Sequence, residues 1–178
     1  MSFSNIYLNK VKKMNLETTY LAGGCYWGLE DLVGQIDGIH ETCVGFSGGH
    51  IDNVSYQDVS SGQTGHAETI MIKFDRDQLS FENLLLEFFK FHNPTTLNQQ
   101  GNDIGSQYRS SIFCTSENQK EIAEKVIKKV DDSGHWRSKI VTEINVFDKF
   151  FPAEEAHQKY IKKNPHGYTC HFKRDFKF

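Results

Sequence analysis

Cys25 has neighbours that suit a reactive thiol: Gly23-Gly24 before it and Tyr26-Trp27-Gly28 after it. The preceding run Thr18-Thr19-Tyr20-Leu21 is β-branched and aromatic, and the apolar residues Leu29, Leu32, Val33 and Ile36 then fall at helical spacing. This reads as strand, tight turn, helix, with Cys25 at the helix start. Unpaired N–H groups and the positive end of the helix dipole favour a thiolate there. The glycines permit a sharp turn and leave space beside the sulfur. Tyr26 and Trp27 are enough to wall an apolar pocket for a small hydrophobic group. An isolated cysteine is more often a small buried core residue; the glycine pair, the helix start and the aromatic pair together favour a nucleophile.

Glu68 is the second group of interest. Gly65-His66-Ala67-Glu68 leads into Thr69-Ile70-Met71-Ile72-Lys73-Phe74, which alternates as a strand does. Glu68, Ile70, Ile72 and Phe74 therefore share one face. If that face is the core, Glu68 is a carboxyl group drawn out of water, and desolvation raises its pKa. Parity alone equally allows an exposed glutamate at a strand end.

The elements that must position these groups follow the chain. Residues 1–17 read as a loosely held N-terminal arm, and residues 18–178 as one domain with a polar tail over 162–178. Residues 39–46 form a second strand candidate, closed by Ser47-Gly48-Gly49. Residues 50–65 are a long polar loop holding Tyr56, of a length that is usually functional or disordered. Ser80 caps the clearest helix, with Phe81, Leu84, Leu85 and Phe88 at core spacing and a stop at Asn93-Pro94. A second polar loop over 95–106 holds Asp103, and residues 107–114 read as a strand beginning near Tyr108. Ser116-Glu117-Asn118-Gln119 is a capping box for a helix to about Val130. A last strand over 140–147 and a short helix over 153–161 precede the tail. Cys25, Tyr56, Glu68, Asp103 and Tyr108 thus lie on turns, loops and strand ends, where a rigid scaffold usually builds sites.

The chain has 178 residues, enough to bury a core without staples, and a formal net charge of -3. That balance gives no reason to expect nucleic acid or an anionic membrane as a partner. No apolar run approaches a membrane span and no signal peptide opens the chain, so a cytoplasmic setting is expected. Four irregularly spaced cysteines do not make a secreted disulfide framework. His166, Cys170 and His171 lack a second ligand pair at structural zinc spacing, so neither a metal nor another cofactor is expected. Lys125, Lys128 and Lys129 read as a solvated helix face.

Gly24-Cys25-Tyr26-Trp27-Gly28 resembles the Gly-Cys-Phe-Trp-Gly motif of A-type peptide methionine sulfoxide reductases, with Tyr26 for phenylalanine. Gly45-Phe46-Ser47-Gly48-Gly49 matches a family Gly-Tyr-x-Gly-Gly. Two longer blocks, 61–68 and 100–110, match almost letter for letter, and Phe151-Pro152-Ala153-Glu154-Glu155-Ala156-His157-Gln158 and Lys163-Asn164-Pro165 follow in order. The resemblance implies an α+β fold: a mixed, largely antiparallel sheet flanked by helices, a ferredoxin-like two-layer core in a single domain. It implies Cys25 as nucleophile, Glu68 as general acid, and Tyr56 and Tyr108 as hydroxyls that hold the sulfoxide oxygen. Asp103 matches an aspartate at the site, and Tyr26 and Trp27 the pair that cups the substrate methyl group. The implied activity is reduction of the S epimer of methionine sulfoxide, free or in proteins, with thioredoxin as electron donor and protein repair under oxidative stress as the setting. A monomer is expected.

The chemistry wants such a set. A sulfoxide sulfur is a poor electrophile until its oxygen is protonated or strongly hydrogen-bonded. Thiolate attack then leaves a sulfenic acid, commonly returned to thiol through a disulfide. Cys43 and Cys114 lie on strands and read as core residues, whereas Cys170 lies in a tail that could swing and is the expected resolving cysteine. The family often places that cysteine directly after Gly-Tyr; here Thr169 intervenes. Two rivals remain on sequence grounds. A thiol peroxidase would need neither a methyl pocket nor a neutral carboxylic acid, and a methionine-binding module would leave Cys25 inert.

Overall fold

In the computed structural model, which describes residues 14–178, the glycine pair ends a strand and Cys25 opens a helix, as the spacing predicts. The strand β1 (Leu16–Gly23) is followed by α1 (Tyr26–Val33) and then by β2 (Ile39–Ser47). A short helix α2 (Tyr56–Ser60) interrupts the long loop, opened by a capping box between Ser55 and Asp58. After it come β3 (Ala67–Asp75) and α3 (Phe81–Phe91), the latter capped by the Ser80 hydroxyl. The second polar loop contains a small hairpin, β4 (Gln99–Gln100) and β5 (Asp103–Ile104). Then follow β6 (Ser110–Cys114), α4 (Glu117–Asp132), β7 (Glu143–Val146), β8 (Phe150–Pro152) and α5 (Tyr160–Lys163).

Six strands form one sheet in the order β7-β6-β1-β3-β2-β8. All pairings are antiparallel except β6 with β7. The sheet is therefore mixed and largely antiparallel, in an α+β fold. The helices α1, α3 and α4 gather over one face, where Leu21, Val44, Phe46, Ile70, Ile72, Phe74 and Ile112 meet Leu29, Leu84, Leu85, Phe88 and Val126. Full burial of such side chains stabilises by about 1.5–3 kcal/mol each, against the entropy of ordering them. The opposite face is covered more thinly, by Tyr20 stacked on Phe147 at 3.9 Å and by Phe113.

Several boundaries differ from the sequence reading for physical reasons. Leu16 and Glu17, assigned to the arm, pair with Asp75 and Phe74 in the sheet; the rest of the arm through residue 13 lies outside the described residues. Residues 106–108 wind into a 3-10 turn rather than extending as a strand, closed by the Tyr108 N–H on the Gly105 carbonyl at 3.0 Å. The stretch 153–161 is not one helix: a 3-10 turn over Glu155–His157 is separated from α5 by Lys159, whose φ of 53° is left-handed. No described helix is long and apolar enough to cross a membrane.

Candidate active site

Gly24 makes the turn before Cys25 with a φ of 96°, and a side chain there would collide with Gln100. Cys25 then sits at the N-cap of α1, only 6% exposed. Two free amides of this helix start are divided between the two reactive groups. The Tyr26 N–H donates to Glu68 Oε2 at 3.0 Å, and the Trp27 N–H faces the Cys25 sulfur.

Glu68 is opposite Phe46 in the sheet and 3% exposed, so its row with Ile70, Ile72 and Phe74 does face the core. Burial pushes its carboxyl up to about 8, against the pull of the Tyr26 amide. It therefore carries a proton at neutral pH. For Cys25 the helix start does not prevail as expected. Burial pushes the thiol well above its usual range, Glu68 adds to the rise where its carboxyl is ionised, and the Trp27 amide only partly offsets them. The resting sulfur is a thiol.

The phenols of Tyr56 and Tyr108 reach the same place. Each is raised first by burial and then by Glu68, and each also senses Cys25 and Asp103. Both stay protonated and able to donate. The Tyr26 ring is fully buried, 5.9 Å from Phe46, while Trp27 stacks on Tyr160 at 3.9 Å and 15°. One atom joins these walls: His157 Nδ1 accepts from Trp27 Nε1 at 3.2 Å and lies 3.1 Å from the Tyr26 hydroxyl. The ring is thus neutral, with its hydrogen on Nε2, and burial keeps its pKa low.

Behind Trp27 stands an ionic strut with a buried carboxylate and a part-exposed lysine. Glu30, 3% exposed, accepts from the Lys159 N–H, from Lys159 Nζ and from the Thr42 hydroxyl, all at 2.9 Å. Lys159 precedes Tyr160, so the strut fixes the ring on which Trp27 lies.

The C-terminal tail folds over the site. Its Tyr168 hydroxyl donates to both Asp103 oxygens at 3.1 Å, and Gln100 Nε2 donates to the Cys170 carbonyl at 3.2 Å. The Cys170 thiol lies between the Asp103 carboxylate, the Cys25 backbone amide and His171. Burial and then Asp103 push it up to about 12. Farther along, Arg174 donates to the Lys90 and His92 carbonyls at the end of α3. Cys43 and Cys114 belong to β2 and β6, and their surroundings are Glu30 with Lys159, and Glu117 with Glu124. All four cysteines are free thiols. Among the described residues no group of His, Cys, Asp and Glu has the arrangement of a metal site.

The peptide methionine sulfoxide reductase family model matches residues 17–177. The chain belongs to that family. Peptide methionine sulfoxide reductase MsrA 1 of Mesorhizobium japonicum is 48% identical over 158 residues, covering 89% of this chain and 90% of that relative. Reduced Mxr1 of Saccharomyces cerevisiae superposes with a TM-score of 0.84 at 36% identity, over 90% of this chain and 93% of the other. Methionine sulfoxide reductase A of Corynebacterium diphtheriae gives 0.77 at 34%, over 89% and 79%. A further Mxr1 structure, in complex with Trx2, shares the fold at a TM-score of 0.61 and 24% identity, over 93% and 97%.

In this family member the fold brings together all eight side chains singled out from the sequence: Cys25, Tyr26, Trp27, Tyr56, Glu68, Asp103, Tyr108 and Cys170. Sequence reasoning missed His157, Tyr160, Tyr168 and His171, which lie on a 3-10 turn, the four-residue α5 and the tail, stretches too short or irregular for a period to mark a facing direction. The one available signal was the richness of 157–171 in His and Tyr.

Proposed function

We propose that this methionine sulfoxide reductase uses Cys25 as nucleophile and Glu68 as proton donor, with Tyr56 and Tyr108 holding the sulfoxide oxygen. Tyr26 and Trp27 receive the methyl group, and Asp103 orders the rim. The Cys25 sulfur attacks the sulfoxide sulfur while Glu68 delivers its proton to the oxygen. The carboxylate so formed takes up the Cys25 proton. Methionine leaves, and the oxygen remains on Cys25 as a sulfenic acid.

Cys170 then displaces that oxygen as water, and thioredoxin reduces the resulting disulfide. The substrate is the S epimer, free or in oxidised proteins, and the setting is protein repair in the cytoplasm under oxidative stress. Residues 16–178 act as one unit and the chain as a monomer. A buried, protonated carboxyl group hydrogen-bonded to the helix that carries the thiol supports this reading most.

The test is methionine release from separate R and S epimers with dithiothreitol, by wild type and Cys25→Ser. We expect release from the S epimer alone and none from the variant, because a hydroxyl of high pKa cannot replace the sulfur. Wild-type rates from Cys25→Ser would remove Cys25 from the chemistry.

A further inference from the structure

His171 has one ring nitrogen fixed by the turn and the other aimed at a thiol. Its Nε2 lies 2.7 Å from the Gly23 carbonyl, which can only accept, so Nε2 carries the hydrogen. In the neutral ring the lone pair is then on Nδ1, and Nδ1 is 3.4 Å from Cys170 Sγ. Gly23 ends β1 two residues before Cys25. One buried ring therefore touches both the strand that leads into Cys25 and the thiol that must reach it.

The surrounding residues hold the ring in this pose. The His171 N–H donates to Thr169 Oγ1 at 3.1 Å, so the residue inserted between Tyr168 and Cys170 shapes the local turn. A side chain at Gly28 would collide with that Thr169 hydroxyl and crowd His171 Nδ1 at 3.1 Å, so α1 leaves room for the tail. The charged groups sensed by the ring are Asp103 and Arg174. Burial pushes its pKa down to about 4, so the lone pair is free at neutral pH.

We infer that His171 is the proton acceptor for the Cys170 thiol when that thiol attacks oxidised Cys25. This rests on Cys170 being the resolving cysteine. The Cys170 S–H proton moves to His171 Nδ1 as the S–S bond forms and the Cys25 S–O bond breaks. The departing oxygen takes a proton and leaves as water, and the imidazolium then returns its proton to solvent. Sulfenic acid and thiol become disulfide and water, with no outside oxidant or reductant. Asp103 is the other acceptor at the Cys170 thiol, hydrogen-bonding it while also accepting from Tyr168, but its negative charge opposes a thiolate beside it.

The experiment is a single turnover with the full chain and methionine sulfoxide, following methionine release and, by acid quench and thiol alkylation, Cys25–Cys170 disulfide formation. His171→Gln keeps an amide donor for the Gly23 carbonyl but has no base. Its ratio of disulfide-formation rate to methionine-release rate should fall by about 10²-fold, the low end for general base catalysis. Added imidazole should raise that ratio in His171→Ala. An unchanged ratio in His171→Gln, or a loss seen only in Asp103→Asn, overturns the assignment. If wild type releases methionine and forms no Cys25–Cys170 disulfide, the reading of Cys170 fails first and takes this one with it.

Discussion

The two sulfurs proposed to carry the cycle lie on backbone of opposite kinds. Cys25 is set between a central strand and a helix, with its proposed proton donor on the adjacent strand β3. Cys170 lies on tail backbone with no repeating hydrogen bonds of its own, held by side chains: Tyr168 on Asp103, His171 on Gly23, Gln100 on its carbonyl. The first arrangement suits a step that needs fixed geometry around a developing charge. The second suits a step after which one sulfur must be handed to an external reductant. Rigidity and release are divided between sheet and tail.

The sharpest way to break that division is Cys170→Ser. It should release one methionine per enzyme and then stop with thioredoxin, which needs a disulfide to attack, while dithiothreitol restores part of the turnover. Normal cycling with thioredoxin would place resolution elsewhere, and Cys43→Ser and Cys114→Ser would then be compared. Glu68→Gln strikes the other half. The side chain still donates a hydrogen bond but delivers no acid proton, so single-turnover methionine release should slow by roughly 10²–10⁴-fold. Rapid quench measures it, and a near-wild-type rate would exclude Glu68 as the acid.

The same residue gives a pH signature. Its folded pKa of about 8 lies above the unfolded value of about 4.3, so the protonated form is favoured by folding. Its contribution to stability is complete below about pH 4.3 and is lost as pH rises through about 8. Methionine release should likewise fall as pH rises through about 8, and Glu68→Gln should lack both trends.

Smaller effects test the supports. Glu30→Ala leaves the Lys159 N–H and the Thr42 hydroxyl without their buried partner, a cost of about 1–3 kcal/mol that a denaturant midpoint would show. Because Tyr160 then loses its anchor beneath Trp27, KM should rise more than kcat falls. Tyr26→Phe removes only the hydroxyl beside His157 Nδ1 and should cost about 0.5–1.5 kcal/mol. A KM and stability equal to wild type would show that Trp27 alone holds the histidine.

How much was legible follows the same line between sheet and tail. Cys25 was readable at a helix start and Glu68 in a row with Ile70, Ile72 and Phe74; parity left open whether that row ends buried or exposed, and the structure buries it. Tyr56, Asp103 and Tyr108 could be placed on loops, but only motif resemblance suggested that they converge, since convergence depends on how the loops return to the sheet edge. At Cys25 the helix start, a short-range signal readable in the sequence, favours a thiolate, whereas the opposing burial beside Glu68 depends on a residue 43 positions away. His157 and His171 were passed over for a related reason. Their partners, Tyr26, Trp27 and Gly23, are more than 100 positions distant, and no local pattern encodes such contacts.

The Arg174 contacts with the end of α3 have a further consequence. With Tyr168 fastened to Asp103, the segment carrying Cys170 is a short tether pinned at both ends. A short tether keeps its thiol at a high effective concentration near Cys25, and that concentration falls roughly as the −3/2 power of the free length. Releasing the Arg174 end would leave the thiol held by Tyr168, Gln100 and His171 alone, loosening it without touching either sulfur. On the proposed role of Cys170, the last turn of α3 thereby helps set how soon an oxidised Cys25 is captured, and how long it stays open to overoxidation.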